Sequence, residues 1–355
     1  MTTPTPSRFL RDIQSQPDSL ARVLSYQLGS GHEALLRAAG IVRSAKRVVI
    51  TGMGASLNAS IPFEYQLCSA GIDATLAESG ELLHYPRPVL HDTVVVVVSR
   101  SGESVEIAKL LPRLRGACTT IGMTNDPESS LARGADHAIC VRSLPDEMVA
   151  IQTYTGTLLV LGLLAAAVAD DLASLTTQAQ ATLDLQRDLI REEVERLALW
   201  DEFFATRSQI HLLARGPSIG SAVEGALLFN ETANVPASGM AVASFRHGPV
   251  ELVDETFVGL IFAPSDGTRT LNLSLAADLV RFGGRVRVIG PRHPDYASLD
   301  WCETPDIPAS LVPLFEIIPV QLAALRLAQL RGIPPGQFRY APQVARDEAG
   351  FAPPD

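Results

Sequence analysis

The chain has 355 residues, more than a single hydrophobic core usually serves, so its length predicts two domains. Hydrophobic residues make up 46% and charged residues 19% of the sequence, which is typical of a globular protein and excludes a largely disordered one. The formal net charge of −10 argues against a nucleic-acid partner, because domains that bind a phosphate backbone are usually basic. A small phosphorylated ligand is not excluded, since it needs only a local site.

Cysteines and apolar segments give no sign of export or of a membrane. The sequence has four scattered cysteines without a CxxC pair, which predicts reduced structural thiols: Cys68, Cys118, Cys140 and Cys302. The first residues, "MTTPTPSRFLRD", lack the apolar core of a signal peptide. The most apolar run, "GTLLVLGLLAAAVADD", is too short to span a bilayer and predicts a buried helix. We therefore expect a cytoplasmic protein with no membrane partner.

Residues 1–43 have a helical pattern, and an α/β domain is expected over 44–171. In the first segment Leu20, Val23, Leu24 and Leu28 recur at three and four residues. In the second, short β-branched runs without polar alternation predict strands that are covered on both faces, as in a parallel sheet with helices between its strands. These runs are "RVVITG", "DTVVVVVS", "CTTIGMT" and "HAICV", and a helix over 149–170 is expected to end the domain.

The pattern then repeats after a charged helical connector, which we place at 172–204. Strands are predicted at "QIHLLARG", "FVGLIFAPSD" and "RVRVIG" in a second domain, 205–335, which ends on another apolar helix before a tail, 336–355. "VVITGMGAS" matches "IHLLARGPS" about 162 residues later, and "VVVVVSRSGES" matches "VGLIFAPSDGT" at a similar offset. The order of elements therefore indicates a duplicated α/β unit.

Two turns of the first half follow predicted strands, at the sheet edge where ligands of open parallel sheets bind. "TGMGASLNA" contains Gly52, Gly54, Ser56 and Asn58, and "SRSGES" places Ser99, Ser101 and Ser104 around Gly102. Free N–H groups at a helix start, together with hydroxyl donors, can bind an anion such as phosphate. A single serine often only caps a helix. Three within six residues favour the phosphate site.

Motifs of other enzyme classes do not fit these turns. "GMGASL" has Leu57 where the dinucleotide-binding pattern needs its third glycine, although Glu78 lies near the position of the ribose-binding acid. In "SRSGES", Ser99 and Arg100 precede Ser101 where a nucleophile elbow requires a glycine. The sequence has no HExxH and no P-loop lysine motif, so we expect neither a metal nor another cofactor.

The second half contains candidates for proton transfer. Glu224 and Glu231 are seven residues apart in apolar sequence, so a continuous α-helix would place them on one face, two turns apart. Partial desolvation of such a carboxyl raises its pKa toward the value that a general base or acid needs. His247 precedes Gly248 and Pro249, a turn that favours a positioned side chain over a merely structural one.

These motifs resemble tandem sugar isomerase (SIS) domain proteins, above all the isomerase half of glucosamine-6-phosphate synthase, over nearly the whole chain from about Arg43. "GMGAS" stands for the family's C-G-T-S, "SRSGES" for S-Q-S-G-E-T, and "EGALLFNE…RHGP" for E-G-A-L-K-L-K-E…K-H-G-P. The resemblance implies two tandem three-layer α/β/α SIS domains, each with a parallel, flavodoxin-like central sheet.

The resemblance also implies roles for individual residues. The sugar 6-phosphate would bind at Ser99, Arg100, Ser101 and Ser104, and the sugar would lie beside Gly54, Ala55, Ser56, Val149, Ala150 and Glu224. Glu231 would move the proton between C1 and C2. His247 would open the sugar ring, in the synthase from the neighbouring subunit, which predicts a homodimer.

Departures from the family change the expected reaction. Leu228 and Asn230 replace lysines near the two glutamates, Ile151, Gln152 and Thr153 replace S-T-K, and Pro342 stands in place of the tail lysine that the synthase uses for a Schiff base. Without that lysine and a glutaminase domain, we do not expect glutamine-dependent synthesis. Two activities remain open: isomerisation with deamination of an amino-sugar 6-phosphate, and deglycation of a fructosamine 6-phosphate. A non-catalytic sugar-phosphate sensor is the alternative, although residues 1–43 are too few and too little basic for the DNA-binding domain that usually accompanies one.

Overall fold

The computed structural model describes residues 7–85, 92–205, 209–340 and 344–348. Helices alternate with parallel strands, and two five-stranded sheets with helices on both sides result. This is the tandem α/β architecture that the sequence predicts.

The first sheet has the flavodoxin-like strand order β2-β1-β3-β4-β5. Its strands are β1 (Arg47–Gly52), β2 (Ala74–Glu78), β3 (Thr93–Val98), β4 (Thr119–Thr124) and β5 (His137–Cys140), and all neighbours pair in parallel. Every residue of the central strand β3 is buried, as the run of valines predicts. The edge strand β2 was not predicted, because "ATLAE" has no apolar run of its own.

The second sheet repeats this order. It contains β6 (Ile210–Ala214), β7 (Ala237–Ala241), β8 (Val258–Phe262), β9 (Arg285–Gly290) and β10 (Asp300–Glu303), arranged β7-β6-β8-β9-β10. β6 therefore occupies the position of β1, and β8 that of β3. The identical order supports the internal duplication, and it adds β7 and β10, two edge strands that were also missed.

Helices fill the connections. In the first half they are α1 (Arg8–Gln14), α2 (Gln16–Leu28), α3 (His32–Ser44), α4 (Ala55–Ser69), α5 (Ser79–His84), α6 (Val105–Leu114), α7 (Ser130–Gly134) and α8 (Gln152–Val168). In the second half they are α9 (Leu172–Glu195), α10 (Leu199–Phe203), α11 (Ile219–Leu228), α12 (Val242–Arg246), α13 (Arg269–Arg281) and α14 (Pro313–Leu330).

The described residues form two compact units, which are not simply the two halves of the chain. One contains 18–146, 152–180 and the described part of 338–355; the other contains 7–17, 147–151 and 181–337. Each unit has its own apolar core around its own sheet. The expected N-terminal segment 1–43 thus contributes to both units, since α1 belongs to the unit of the second sheet.

The longest apolar helices lie in these cores. α8 is buried along almost its whole length and packs on α3 and α4, as its continuous apolar sequence predicts. In the described part of the chain one helix, α14, is long and apolar enough to cross a membrane, and 83% of that window is buried inside the protein. It packs on α1, α10 and α11, as a core helix does.

Candidate active site

The two predicted ligand turns lie side by side at the carboxyl edge of the first sheet. β1 and β3 are neighbours, and their ends approach so closely that a Cβ on Gly52 would lie 2.9 Å from the carbonyl oxygen of Val98. Gly54 has a φ of 49°, a conformation that favours glycine, and it directly precedes α4. Ala55 and Ser56 form the first turn of that helix. The structure therefore brings together two of the predicted segments.

Loop 99–104 is held by its own serines. The Ser99 hydroxyl accepts a hydrogen bond from the N–H of Gly102 at 3.1 Å, and the Ser101 hydroxyl accepts one from the N–H of Glu103 at 3.2 Å. Ser99 is almost completely buried, whereas Ser101 is half-buried. A hydroxyl that accepts a bond still has its own O–H to donate, so both side chains can shape the loop and bind an anion.

Residues at the start of helix α7 hold the same loop in place by hydrogen bonds. Glu103 accepts hydrogen bonds from the backbone N–H and the hydroxyl of Ser130, the latter at 2.9 Å, and the carbonyl of Gly102 accepts from the N–H of Leu131 at 3.1 Å. Gly102 has a φ of 66°, and a Cβ there would lie 2.6 Å from the Cβ of Ser129. The loop is therefore preformed around a glycine that no larger residue can replace without a shift.

Ser104 directly precedes α6, but its side chain does not cap the helix. It occupies the N-cap position, but its hydroxyl accepts no capping hydrogen bond. The next N–H, that of Val105, donates to the carbonyl of Ala345 in the tail at 3.0 Å. Glu348 binds Lys109 and His84, which holds this tail segment on the unit. Pro342, at the family's lysine position, lies outside the described residues.

Arg100 has a neighbour that sequence reasoning missed. Its positive charge acts on Asp146, which accepts hydrogen bonds from the N–H groups of Gln152 and Thr153 at the start of α8. Burial raises the pKa of Asp146, while these bonds and the charge of Arg100 oppose that effect. Asp146 lies six residues before α8, so its capping role gave no local sequence signal.

The segment 147–151 belongs to the other unit. Val149 is buried and packs near Gly336, and Ala150 is half-buried. Their predicted role as a backbone lining of the sugar stays a prediction.

Glu224 and Glu231 are not on one regular α-helix, which corrects the sequence-based expectation. Glu224 is buried in α11, but the chain widens at Phe229–Ala233 into a π-helical turn that contains Glu231. Because a π turn has more residues per turn than an α-helix, it rotates Glu231 away from the position relative to Glu224 that a regular α-helix would give it. Glu231 is half-buried. Such turns are rare in proteins, and those that occur are often at functional sites.

His247 ends α12 and is exposed. Gly248 follows with a φ of 136°, and Pro249 begins a 3₁₀ turn, so the predicted Gly-Pro turn is present. Along the chain, Glu231 precedes β7 and His247 follows it, with α12 starting directly at the end of that strand.

Among the described residues, no group of three or more histidine, cysteine or acidic side chains could hold a metal ion. The thiols of Cys118 and Cys140 are half-buried. Burial raises the pKa of Cys118 to about 11 and also raises the pKa of Cys140, whereas a nucleophilic thiol needs a lowered pKa.

Comparisons with known proteins agree with this architecture. The model of the SIS domain family matches the chain twice, at residues 41–167 and 203–331. A glutamine–fructose-6-phosphate aminotransferase of Arabidopsis thaliana is 28% identical over 348 residues, covering 91% of this chain and 51% of its own length. The corresponding protein of Pyrobaculum aerophilum is 28% identical, covering 94% and 56%. The chain thus spans about half the length of these curated relatives.

Solved structures share the fold. The C-terminal domain of glucosamine-fructose-6-phosphate aminotransferase from Francisella tularensis has a TM-score of 0.81 at 21% identity, covering 93% of this chain and 97% of its own. A glucosamine-6-phosphate deaminase from Thermotoga maritima has a TM-score of 0.72 at 19% identity, covering 96% and 99%. With both repeats matched by the family model and both sheets in the same strand order, the chain belongs to the SIS domain family.

Proposed function

We propose that this protein is an enzyme that binds a sugar 6-phosphate at the carboxyl edge of its first sheet and transfers a proton between neighbouring carbon atoms of the sugar. Loop 99–104 carries the proposal. The loop presents three hydroxyls around Gly102, which has a left-handed backbone conformation, at the start of α6. The Ser104 hydroxyl makes no capping hydrogen bond. A preformed hydroxyl-rich helix start is suited to a phosphate dianion, which the helix dipole further stabilises.

In the proposed reaction, His247 transfers a proton that opens the sugar ring, and Glu231 moves a proton from C2 to C1 of the open chain. With an amino group on C2, this shift and the transfer of a second proton from the nitrogen to O1 leave an imine at C2 and a hydroxyl at C1. One water molecule hydrolyses the imine to a ketone and releases ammonia. The half-buried position of Glu231 in the π turn is suited to a general base whose carboxylate is partly desolvated.

An amino-sugar substrate is supported by the relatives, which are glutamine–fructose-6-phosphate aminotransferases, and by the glucosamine-6-phosphate deaminase among the structural neighbours. Leu228 and Pro342 stand where the family has lysines, so we do not propose a Schiff-base step or glutamine-dependent synthesis. In a fructosamine 6-phosphate the amine is on C1 and the carbonyl on C2, so the proton would move in the opposite direction, from C1 to C2. Hydrolysis of the resulting imine at C1 would release an amino acid instead of ammonia and leave an aldose phosphate.

The test is a panel of amino-sugar, ketose and fructosamine 6-phosphates, with release of ammonia, amino acid and hexose phosphate measured. We expect Glu231→Gln to lower turnover about 10²–10⁴-fold and to leave sugar-phosphate affinity unchanged. Glu255→Gln, which changes an exposed glutamate in the same unit, is the control and should keep full activity. Release of an amino acid would identify a deglycase. If the wild-type protein binds these compounds but converts none, the sensor alternative is correct.

We also propose a homodimer in the cytoplasm in which His247 serves the site of the partner subunit, an arrangement that its exposed position allows. Mixing Glu231→Gln with His247→Ala protein tests it. If the two groups come from different subunits of a twofold dimer, one site in each mixed dimer regains both, and activity returns to about a quarter of the wild-type value. Absence of recovery despite subunit exchange, or an active monomer in light scattering, would contradict the proposal.

A further inference from the structure

The second repeat contains a counterpart of the ligand turn at Gly54. Gly216 lies 162 residues after Gly54, follows the equivalent strand β6, and also has a positive φ, 56° against 49°. Ser218 lies 162 residues after Ser56 and precedes α11 as Ser56 begins α4. The duplication has therefore produced two equivalent helix starts, of which only the first resembles a ligand site in sequence.

In the second repeat this helix start already holds a carboxyl group, which belongs to the protein. The Ser218 hydroxyl donates to one carboxylate oxygen of Glu316 at 2.9 Å, and the Ser221 hydroxyl donates to the other at 2.6 Å. Glu316 is 2% exposed and reaches this position from α14. Both oxygens of one carboxyl group are thus bound at the start of α11, as the oxygens of a bound ligand would be.

The neighbouring turn of the second repeat is acidic. In the alignment of the repeats, "PSDGT" takes the place of "RSGES", so Asp266 stands at the position of Gly102. Its negative charge raises the pKa of Glu316, in addition to the larger effect of burial. A cleft next to Glu316 is lined by Ser265, Gly290, Thr304 and Asp306 at the carboxyl ends of β8, β9 and β10. A phosphorylated ligand at these strand ends would meet the carboxyl groups of Asp266, Asp306 and Glu316, although Ser265 and Thr268 keep the hydroxyls of Ser101 and Ser104.

We propose that Glu316 is a built-in ligand: its carboxyl group occupies, in the second repeat, the helix start that corresponds to the Gly54 turn of the first repeat, and with Asp266 it excludes phosphorylated ligands from the second repeat. Only the comparison with the first repeat rests on the function proposed above. The occupied site itself follows from the contacts of Glu316.

Chemical rescue tests this proposal without using turnover. Glu316→Ala removes the carboxylate and leaves both hydroxyls facing a small buried space. Sodium formate, compared with sodium chloride at the same ionic strength, should then raise the melting midpoint of Glu316→Ala by roughly 3 °C or more, because a ligand that binds only the folded state stabilises it. The wild-type protein and Glu316→Gln, whose side chain still fills the space, should not respond.

Two further variants test whether formate binds specifically to the two hydroxyls or stabilises the protein by filling any buried cavity. Glu193→Ala removes another buried glutamate of the same unit, one that lies beside the thiol of Cys302 and not beside paired hydroxyls, and should show no formate effect. Adding Ser218→Ala and Ser221→Ala to Glu316→Ala should abolish rescue. Equal rescue of Glu193→Ala, or rescue that persists without the hydroxyls, would overturn the proposal, as would no effect of formate.

If Glu316→Ala does not fold in chloride, its refolding yield in formate becomes the measurement. Recovery in formate alone supports the proposal, and failure in both salts contradicts it. Because neither measurement involves a sugar phosphate, an inactive enzyme with formate rescue would contradict only the proposed function, and an active enzyme without rescue would contradict only the role of Glu316.

Discussion

Gly102→Ala is expected to disrupt the proposed phosphate loop, because two separate penalties fall on one methyl group. The residue has a φ of 66°, where an alanine Cβ is strained, and that Cβ would lie 2.6 Å from the Cβ of Ser129 and 3.0 Å from the Cβ of Leu131. Ser129 cannot easily move away: it is 1% exposed, and its hydroxyl caps α7 by accepting a hydrogen bond from Ala132.

The two penalties give the size of the effect. A left-handed conformation costs an alanine about 1–2 kcal/mol, and forcing a methyl group into a packed interior typically costs about 1–3 kcal/mol more. The free energy of unfolding should thus fall by about 2–5 kcal/mol, which lowers the melting midpoint of a unit of this size by roughly 5–15 °C. Because the loop must shift, binding of a sugar phosphate should weaken at least about tenfold, the result of misplacing about one hydrogen bond to a charged group.

Gly116→Ala is the matched control. Gly116 has a φ of 75°, but a Cβ there would meet no heavy atom within 4 Å, so this variant carries the backbone penalty alone. Thermal melts and calorimetric titration with a sugar 6-phosphate should place Gly102→Ala clearly below Gly116→Ala in both stability and affinity. Equal melting midpoints would refute the packing argument, and unchanged affinity in a destabilised Gly102→Ala would refute the assignment of the loop to the phosphate.

Two further predictions concern hydroxyl and carboxyl groups. Ser104→Ala should weaken phosphate binding but change the free energy of unfolding by less than about 0.5 kcal/mol, because the Ser104 hydroxyl makes no capping hydrogen bond. Ser129→Ala should lower the free energy of unfolding by about 1 kcal/mol, because the Ser129 hydroxyl caps α7. Denaturant titrations in which Ser104→Ala is the more destabilised variant would contradict this. Burial raises the pKa of Glu316 to about 7, so the folded protein holds a proton that the unfolded chain releases above about pH 4.5, and stability should fall as the pH rises from there to 7. Relative to Glu316→Gln, the wild-type protein should lose about 3 kcal/mol across that window, and parallel stability profiles of the two proteins would show that Glu316 titrates normally.

The sequence predicted the parts of the fold that depend on local pattern. Buried parallel strands such as β3 have a continuous apolar run, and the polar turns that follow β1 and β3 are recognisable beside it. The edge strands β2, β7 and β10 were missed because such strands are only partly covered and need no such run; burial along β7, for example, is partial throughout. The π turn at Glu231 was also missed, since the apolar spacing of α11 continues through it without a break.

The sequence by itself determined the α/β class and the internal repeat, and it singled out loop 99–104, Glu231 and His247 as candidates. Each of these features depends on residues that are close together in the chain or repeated at a nearly constant offset. Only the tertiary structure decided how these groups are held. The partners of Arg100, of Val105 and of Ser218 are 46, 240 and 98 residues away in the chain, at Asp146, Ala345 and Glu316. A side chain that satisfies a helix start from a distant element leaves no local pattern, because its position is set by the packing of the two elements and not by the spacing of the residues between them.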